Sequence, residues 1–278
     1  MGQFKILEIN NPQNTHSDLT IIDFINNETE YFINNNIQKI AQKCYVSTAS
    51  ISRFANKNGF QTFRKLQQYV HEKNEWQKKH YRLSTGTQLQ DSINNITTYN
   101  IYAINETVQN IQHQQLEVLV NDIIQANRIL IFGVGSSWIA CEELANNLQK
   151  IGVNIACNKD FHTQLLTIPG LTANDQIILF SKSGRTREIL EILKIAFNYK
   201  IPVTLITSNL NCGYEKYLHN KILFRTLKQI SRYSAVSSKI IQLLFVDIVF
   251  NQIIEKNSDY KNYIINGTKI VKSWNSAK

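Results

Sequence analysis

The stretch Gln176-Ile-Ile-Leu-Phe-Ser-Lys-Ser-Gly-Arg-Thr186 decides the fold of this chain. A short apolar run ends in a turn of hydroxyls and one glycine, and a helical pattern follows from Thr186 to Tyr199. That is the signature of a buried strand feeding a helix. The same grammar occurs upstream, where Arg128–Phe132 runs into Gly133-Val-Gly135-Ser136-Ser137 and the helix Trp138–Ile151. Val153–Cys157, Pro202–Thr207 and Lys221–Phe224 supply three further strands, and a long apolar helix from Ala235 to about Glu255 closes the region. Strands alternating with helices predict an α/β domain built on a doubly wound, five-stranded parallel sheet. Ligands of such sheets bind at the carboxyl ends of the strands.

Both loops suit a phosphate. A helix N-terminus offers unpaired N–H groups and partial positive charge, hydroxyls add donors, and glycine lets a ligand approach the backbone. Neither loop is a nucleotide motif. A dinucleotide fingerprint needs glycine where Trp138 stands, and no G-K-[ST] is present for a P-loop.

Upstream the texture is purely helical. Leu19–Phe32 spaces its apolar residues as one helix. Asn36 stands as an N-cap before a helix Ile37–Cys44; Tyr45 and Val46 form a tight break; Ser47 or Thr48 caps a helix running to about Asn58, with Gly59 as its stop. A fourth helix is predicted from Phe63 to about Lys79. Ala41 is small where two helices would cross, and Ile40, Val46, Ile51 and Phe54 would join them. This is the pattern of an all-α helix-turn-helix domain. Its second helix would expose Ser47, Thr48, Ser50, Ser52, Arg53 and Lys57 to a major groove about 12 Å wide. One feature departs from the pattern: Tyr45 occupies a turn position where glycine is usual, and a left-handed backbone costs a side chain about 1 kcal/mol.

Charge agrees with that assignment. The 278-residue chain has 30 Lys and Arg against 21 Asp and Glu, a formal charge of +9. Between Tyr31 and His71 stand Lys39, Lys43, Arg53, Lys57, Arg64 and Lys65 with no acidic residue, so an acidic partner fits that segment. Cys44, Cys141, Cys157 and Cys212 form no C-x-x-C pair, which argues against a disulfide framework or a zinc site and fits a reducing cytoplasm. The first ten residues carry charge and no apolar core of a signal peptide. The most apolar helix, Ile240–Ile254, is interrupted by Gln242, Asp247 and Asn251, so no membrane span is expected. Between the two domains, Leu83–Gln90 reads as a linker and Asp91–Ala126 as helical. The expected division is 1–80, 81–117 (helical linker), 118–256 and 257–278 (a polar, loosely ordered tail).

At these residues the chain resembles a known family. Ser181–Thr186 and Gly133–Ser137 look like the phosphate loop and first loop of sugar isomerase (SIS) domains, whose sheet is flavodoxin-like. With Ile37–Phe60 upstream, Asp160-Phe-His162 after the second strand, and Ala235–Asp247, the order of domains is similar to RpiR-type transcription regulators. The resemblance implies a homodimer or homotetramer that binds a palindromic DNA operator and responds to a phosphorylated sugar, with no cofactor, no metal and no membrane partner. It places the phosphate on Ser181, Ser183 and Thr186 around Gly184, the sugar near Gly135, Ser136 and Ser137, and Ser237 and Ser238 along the site. Lys182 and Arg185 could add charge or be solvated, and His162 could contact a sugar hydroxyl or bond the neighbouring loop. The rival activity, aldose–ketose isomerisation, needs a general base close to a carbon-bound proton. His162, Glu142 and Glu188 are the candidates by position, none in a catalytic pattern, and the fused helix-turn-helix favours a sensor that is not an enzyme.

Overall fold

The structure is a computed structural model that describes residues 4–7, 14–227 and 235–276. It divides into two compact units, one holding the described residues up to Thr98 together with Leu227, the other running from Tyr99 to Thr226 and resuming at Ala235.

The first unit packs five helices, α1 (His16–Asn27), α2 (Thr29–Asn34), α3 (Ile37–Lys43), α4 (Thr48–Lys57) and α5 (Phe63–His80). Ile21, Ile25, Phe32, Ile40, Ile51, Phe54, Leu66 and Val70 form its core, each fully buried. The single helix expected over Leu19–Phe32 is two. Thr15 and Asp18 form a capping box that starts α1 at His16. The Thr29 hydroxyl then takes the Ile25 carbonyl at 2.7 Å, competing with the helix ladder where the chain breaks at Glu28. The turn between α3 and α4 is a Schellman motif: the Tyr45 N–H donates to Gln42 and the Val46 N–H to Ala41, with Tyr45 left-handed at φ 55°. The same motif ends α4 at Gly59, φ 82°, where Phe60 N–H reaches Ala55.

Helix α6 (Leu89–Gln109) straddles the division, and α7 (His113–Gln125) follows. The helical pattern expected over Asp91–Ala126 is these two helices, separated by a turn at Asn110 and Ile111 that is bonded back to Thr107 and Val108. The second unit then runs β1 (Ile129–Gly133), α8 (Trp138–Gln149), β2 (Ile155–Cys157), α9 (Phe161–Thr167), β3 (Gln176–Phe180), α10 (Arg187–Asn198), β4 (Val203–Thr207), β5 (Asn220–Leu223), α11 (Val236–Lys256) and α12 (Ser258–Ser276). The five strands pair in the order β2-β1-β3-β4-β5, all parallel.

Alternation along the strands explains the two-sided winding. Ile129, Ile131, Ile178 and Phe180 face one core with α7, α8 and α11, whereas Leu130, Phe132, Ile177 and Leu179 face the other with α9 and α10. Helix α11 is long and apolar enough to cross a membrane by length and composition; Ile241, Phe245, Val246, Val249 and Ile253 are buried in the first of these cores. All four cysteines are free. Burial pushes the Cys44 thiol up to about 11 and Cys157 to about 12, so both stay protonated and unreactive. The tail expected to be loosely ordered is instead α12, nineteen residues long.

Candidate ligand site and DNA-binding face

The strand order reverses between β1 and β3, whose Gly133 and Phe180 are paired in register. The two hydroxyl-rich loops therefore leave the sheet side by side at its switch point, where doubly wound sheets hold ligands.

The β3 loop is built from the sheet outward. The Ser181 N–H still pairs with Ile206 at 3.0 Å, which fixes the residue as buried. Its hydroxyl accepts the Gly184 N–H at 3.1 Å and stands 3.5 Å from the Thr186 hydroxyl. Gly184 is left-handed at φ 61°, and a Cβ there would lie 3.2 Å from the Thr207 hydroxyl. Ser183 is exposed, and its hydroxyl accepts the Arg185 N–H at 3.2 Å.

Residues after β4 hold the back of this loop. The Lys182 carbonyl accepts from the Thr207 hydroxyl (3.1 Å), the Ser208 hydroxyl (2.9 Å) and the Ser208 N–H (3.1 Å). The Ser183 carbonyl accepts from Asn209 Nδ2 at 2.8 Å. Carbonyl and N–H point opposite ways in a trans peptide. Fixing the Lys182 carbonyl toward β4 thus turns the Ser183 N–H to the open side of the loop. Arg185 also joins the framework, donating from Nη2 to the Asn211 carbonyl at 2.7 Å. Thr207, Ser208 and Asn209 were not singled out in the sequence; a Thr-Ser-Asn run directly after a strand was the available signal.

Thr186 then begins α10 as its N-cap, yet makes no side-chain cap hydrogen bond. Elsewhere Thr15, Asn36, Ser47, Thr62 and Asp160 each cap their helix with a side-chain oxygen. The first turn of α10 thus keeps its N–H groups uncapped by Thr186, at a point where an anion is favoured.

The β1 loop contributes a tight floor. A Cβ on Gly133 would meet the Phe180 carbonyl at 2.8 Å and the Cys141 sulfur at 2.9 Å, so only glycine fits. Gly135 is left-handed at φ 61° and exposed, and Ser136 is half-buried. Ser137 is buried, and its hydroxyl accepts from Gln242 Nε2 at 3.1 Å. Gln242, a polar interruption of an apolar helix, therefore ties α11 to this loop. Ser238 lies one turn before Gln242 on the same helical face, buried like Ser237.

The candidate bases fare differently. His162 is exposed in the first turn of α9 and, among the described residues, makes no hydrogen bond to the β1 loop. Glu142 is exposed on α8, and Glu188 is half-buried in the first turn of α10. Among the described residues no cluster of three or more His, Cys, Asp or Glu could hold a metal ion.

In the first unit Ser47, Thr48 and Arg53 are exposed at the start and outer face of α4, with Ser50 and Ser52 half-buried. Ser47 caps α4, accepting the Ser50 N–H at 3.0 Å, and the two hydroxyls lie 2.9 Å apart. Arg53 leans on the Ser50 hydroxyl at 3.4 Å. Lys57 is set apart from this group, because its ammonium pairs with the buried carboxylate of Asp18 at 2.7 Å and ties α4 to α1. Burial alone would push the Asp18 carboxyl up; the Lys57 ammonium and the Thr15 N–H and hydroxyl outweigh it and hold the group below its ordinary value.

Comparison with known proteins agrees with this division. Residues 1–75 match the helix-turn-helix domain of the rpiR family, and residues 122–252 match the SIS domain. The chain is 24% identical to an HTH-type transcriptional regulator of Clostridium perfringens over 92% of its own length and 93% of that protein's. It is 20% identical to the structure of the Vibrio vulnificus NanR protein complexed with ManNAc-6P, covering 94% of this chain and 95% of that one with a TM-score of 0.61. The SIS fold extends to enzymes: phosphoheptose isomerase from Neisseria gonorrhoeae is 15% identical, with a TM-score of 0.50 over 60% of this chain and 100% of that one. Fold and site thus define a helix-turn-helix protein with a SIS domain. The chain belongs to the RpiR-type transcription regulators and is a sugar-related regulator of transcription.

Proposed function

We propose that this regulator binds a DNA operator through α4 and that a phosphorylated sugar, held at the sheet's switch point, sets its operator affinity. The single observation that carries the ligand half is the start of α10, where a capping residue leaves its helix uncapped beside buried and exposed hydroxyls. The phosphate would take the N–H groups of that turn and of Ser183, with Ser181, Ser183 and Thr186 as hydroxyl donors and Gly184 giving access. Gly135, Ser136 and Ser137 would bound the sugar, with Ser237 and Ser238 behind them. On DNA, Thr48, Ser50, Ser52 and Arg53 would face the groove from a helix capped by Ser47, and Lys57 would act by fixing α4 on α1. A DNA operator and a phosphosugar as partners fit a cytoplasmic protein, and a palindromic operator fits a homodimer or homotetramer.

The mechanism is linkage: a ligand that prefers one of two dimer arrangements changes operator affinity, and a coupling of roughly 1–3 kcal/mol is a 5- to 150-fold effect. No catalytic step is assigned: none of His162, Glu142 and Glu188 stands in a catalytic pattern, and the fused helix-turn-helix favours a sensor.

The test is thermal unfolding against a panel of sugar phosphates, with the matching free sugars as controls. At 100 times its dissociation constant the effector adds about 2.7 kcal/mol of stability. One phosphosugar should raise the midpoint of the wild type and not of Ser181→Ala/Ser183→Ala, provided circular dichroism shows that variant folded. A broad panel without a shift, or an equal shift in the variant, overturns the site.

A further inference from the structure

Helix α12 carries an apolar stripe that this chain only begins to cover. Tyr260, Tyr263, Ile264, Gly267, Ile270, Val271 and Trp274 recur at steps of three and four, which puts them on one face. Tyr260 and Ile264 rest on the core formed with α11. The stripe then leaves the body: Ile270 and Trp274 are each 71% exposed, Val271 56% and Tyr263 51%. Lys261, Lys269 and Lys272 lie on the opposite face. Gly267 is the second anomaly. Glycine in a helix interior costs about 1 kcal/mol relative to alanine, and nothing among the described residues stands within 4 Å of where its Cβ would be. The chain's own packing does not require it.

We propose that α12 is a contact between two copies of this chain, the stripe crossing the same stripe of a second copy antiparallel, with Gly267 on the two-fold. Three features fit a second copy. The stripe is self-complementary about Gly267, because reversal sets Ile264 against Ile270, Tyr263 against Val271 and Tyr260 against Trp274. The lysines point away from the crossing, so no like charges meet. The exposed stripe side chains offer on the order of 500 Å² per copy, and the adjoining helix surface brings this toward the ~800 Å² per partner of a stable interface. The choice of a second copy also draws on the DNA-binding reading, since a helix-turn-helix reads two half-sites as a dimer. A basic helix with this stripe could also lie on an anionic membrane, but a membrane gives no reason for a glycine at the middle of the apolar face.

The experiment is run without DNA or sugar, so that it stands or falls apart from those readings. Sedimentation equilibrium of the full chain should show a dimer. Ile270→Glu/Trp274→Glu should weaken association at least ~100-fold, while Lys269→Glu/Lys272→Glu, on the polar face, should leave it unchanged. Gly267→Cys should form an intermolecular disulfide with itself under mild oxidation, and Lys272→Cys should not. This second arm reads the crossing even if the charged variant misfolds. Undiminished association of Ile270→Glu/Trp274→Glu, failure of Gly267→Cys to cross-link, or a monomeric wild type that binds phosphatidylserine vesicles would each overturn the proposal.

Discussion

Helices α4 and α10 both start at a hydroxyl residue and use it in opposite ways. Ser47 turns its oxygen onto the Ser50 N–H and closes α4. Thr186 turns toward Ser181 and leaves α10 uncapped. The sequence grammar is the same; the neighbourhood differs. Ser47 follows a turn closed by its own backbone bonds to Ala41 and Gln42, whereas Thr186 follows a loop whose carbonyls are pinned from behind by Thr207, Ser208 and Asn209. A helix start that forgoes its own cap is stabilised less in isolation and more by an anion.

The largest expected effect separates those two uses. Thr186→Ala should weaken binding of the phosphosugar found in the panel roughly tenfold or more, the scale of one hydrogen bond to a charged group. The unliganded midpoint should stay within a degree or two. Ser47→Ala should do the reverse, lowering stability by about 1 kcal/mol without changing sugar affinity. Calorimetric titration and chemical denaturation of both variants decide it. If Thr186→Ala destabilises the unliganded protein as much as Ser47→Ala does, the two starts are alike and the comparison fails.

Next comes the tie between α1 and α4. The Asp18 carboxyl is held below its ordinary value, so the native state binds its proton less readily than the unfolded chain does. Its contribution is therefore fully present above the ordinary aspartate value of about 4 and is lost as pH falls through the lower native value. Asp18→Asn should cost about 1 kcal/mol at pH 7. The gap between variant and wild type in urea denaturation should close below about pH 4. A gap that persists unchanged at pH 3 would mean that packing, not the Lys57 pair, carries the effect.

What the sequence made legible follows from how local each signal is. The strand-to-helix runs at Ile129–Phe132 and Gln176–Phe180 needed only neighbours in sequence, and the sheet that joins them has the flavodoxin-like order that the family resemblance implied. The hydroxyls of Ser181 and Ser183 were visible for the same reason. The pinning of their loop was not, because Asn209 reaches it across 26 residues. Lys57 was grouped with Arg53 because helical spacing cannot show that Asp18, 39 residues away, claims it. Gln242 looked like an interruption of an apolar helix until its bond to Ser137, 105 residues distant, gave it a role. The break at Glu28 and the helix at Ser258–Ser276 were missed although their signals are local: the Thr29 hydroxyl reaches only four residues back to Ile25, and the three-and-four spacing of Tyr260, Ile264, Val271 and Trp274 was masked by the polar, basic composition of the tail.

The smallest effect lies at the two helix stops of the first unit, which share one hydrogen-bond pattern and differ in residue. Gly59 takes its left-handed conformation freely, while Tyr45 adopts φ 55° with a ring 96% exposed. Strain at Tyr45 costs about 1 kcal/mol, and replacing it with glycine gives back part of that through a more flexible unfolded chain. Tyr45→Gly should therefore stabilise the protein by only about 0.5 kcal/mol, with no packing lost. Gly59→Ala should destabilise it by about 1 kcal/mol, since among the described residues no atom crowds its Cβ and backbone strain acts. Paired urea curves give both signs. A Tyr45→Gly protein less stable than the wild type would overturn this account, because a residue 96% exposed has no packing to lose and strain at a left-handed backbone would then not be what distinguishes the two stops.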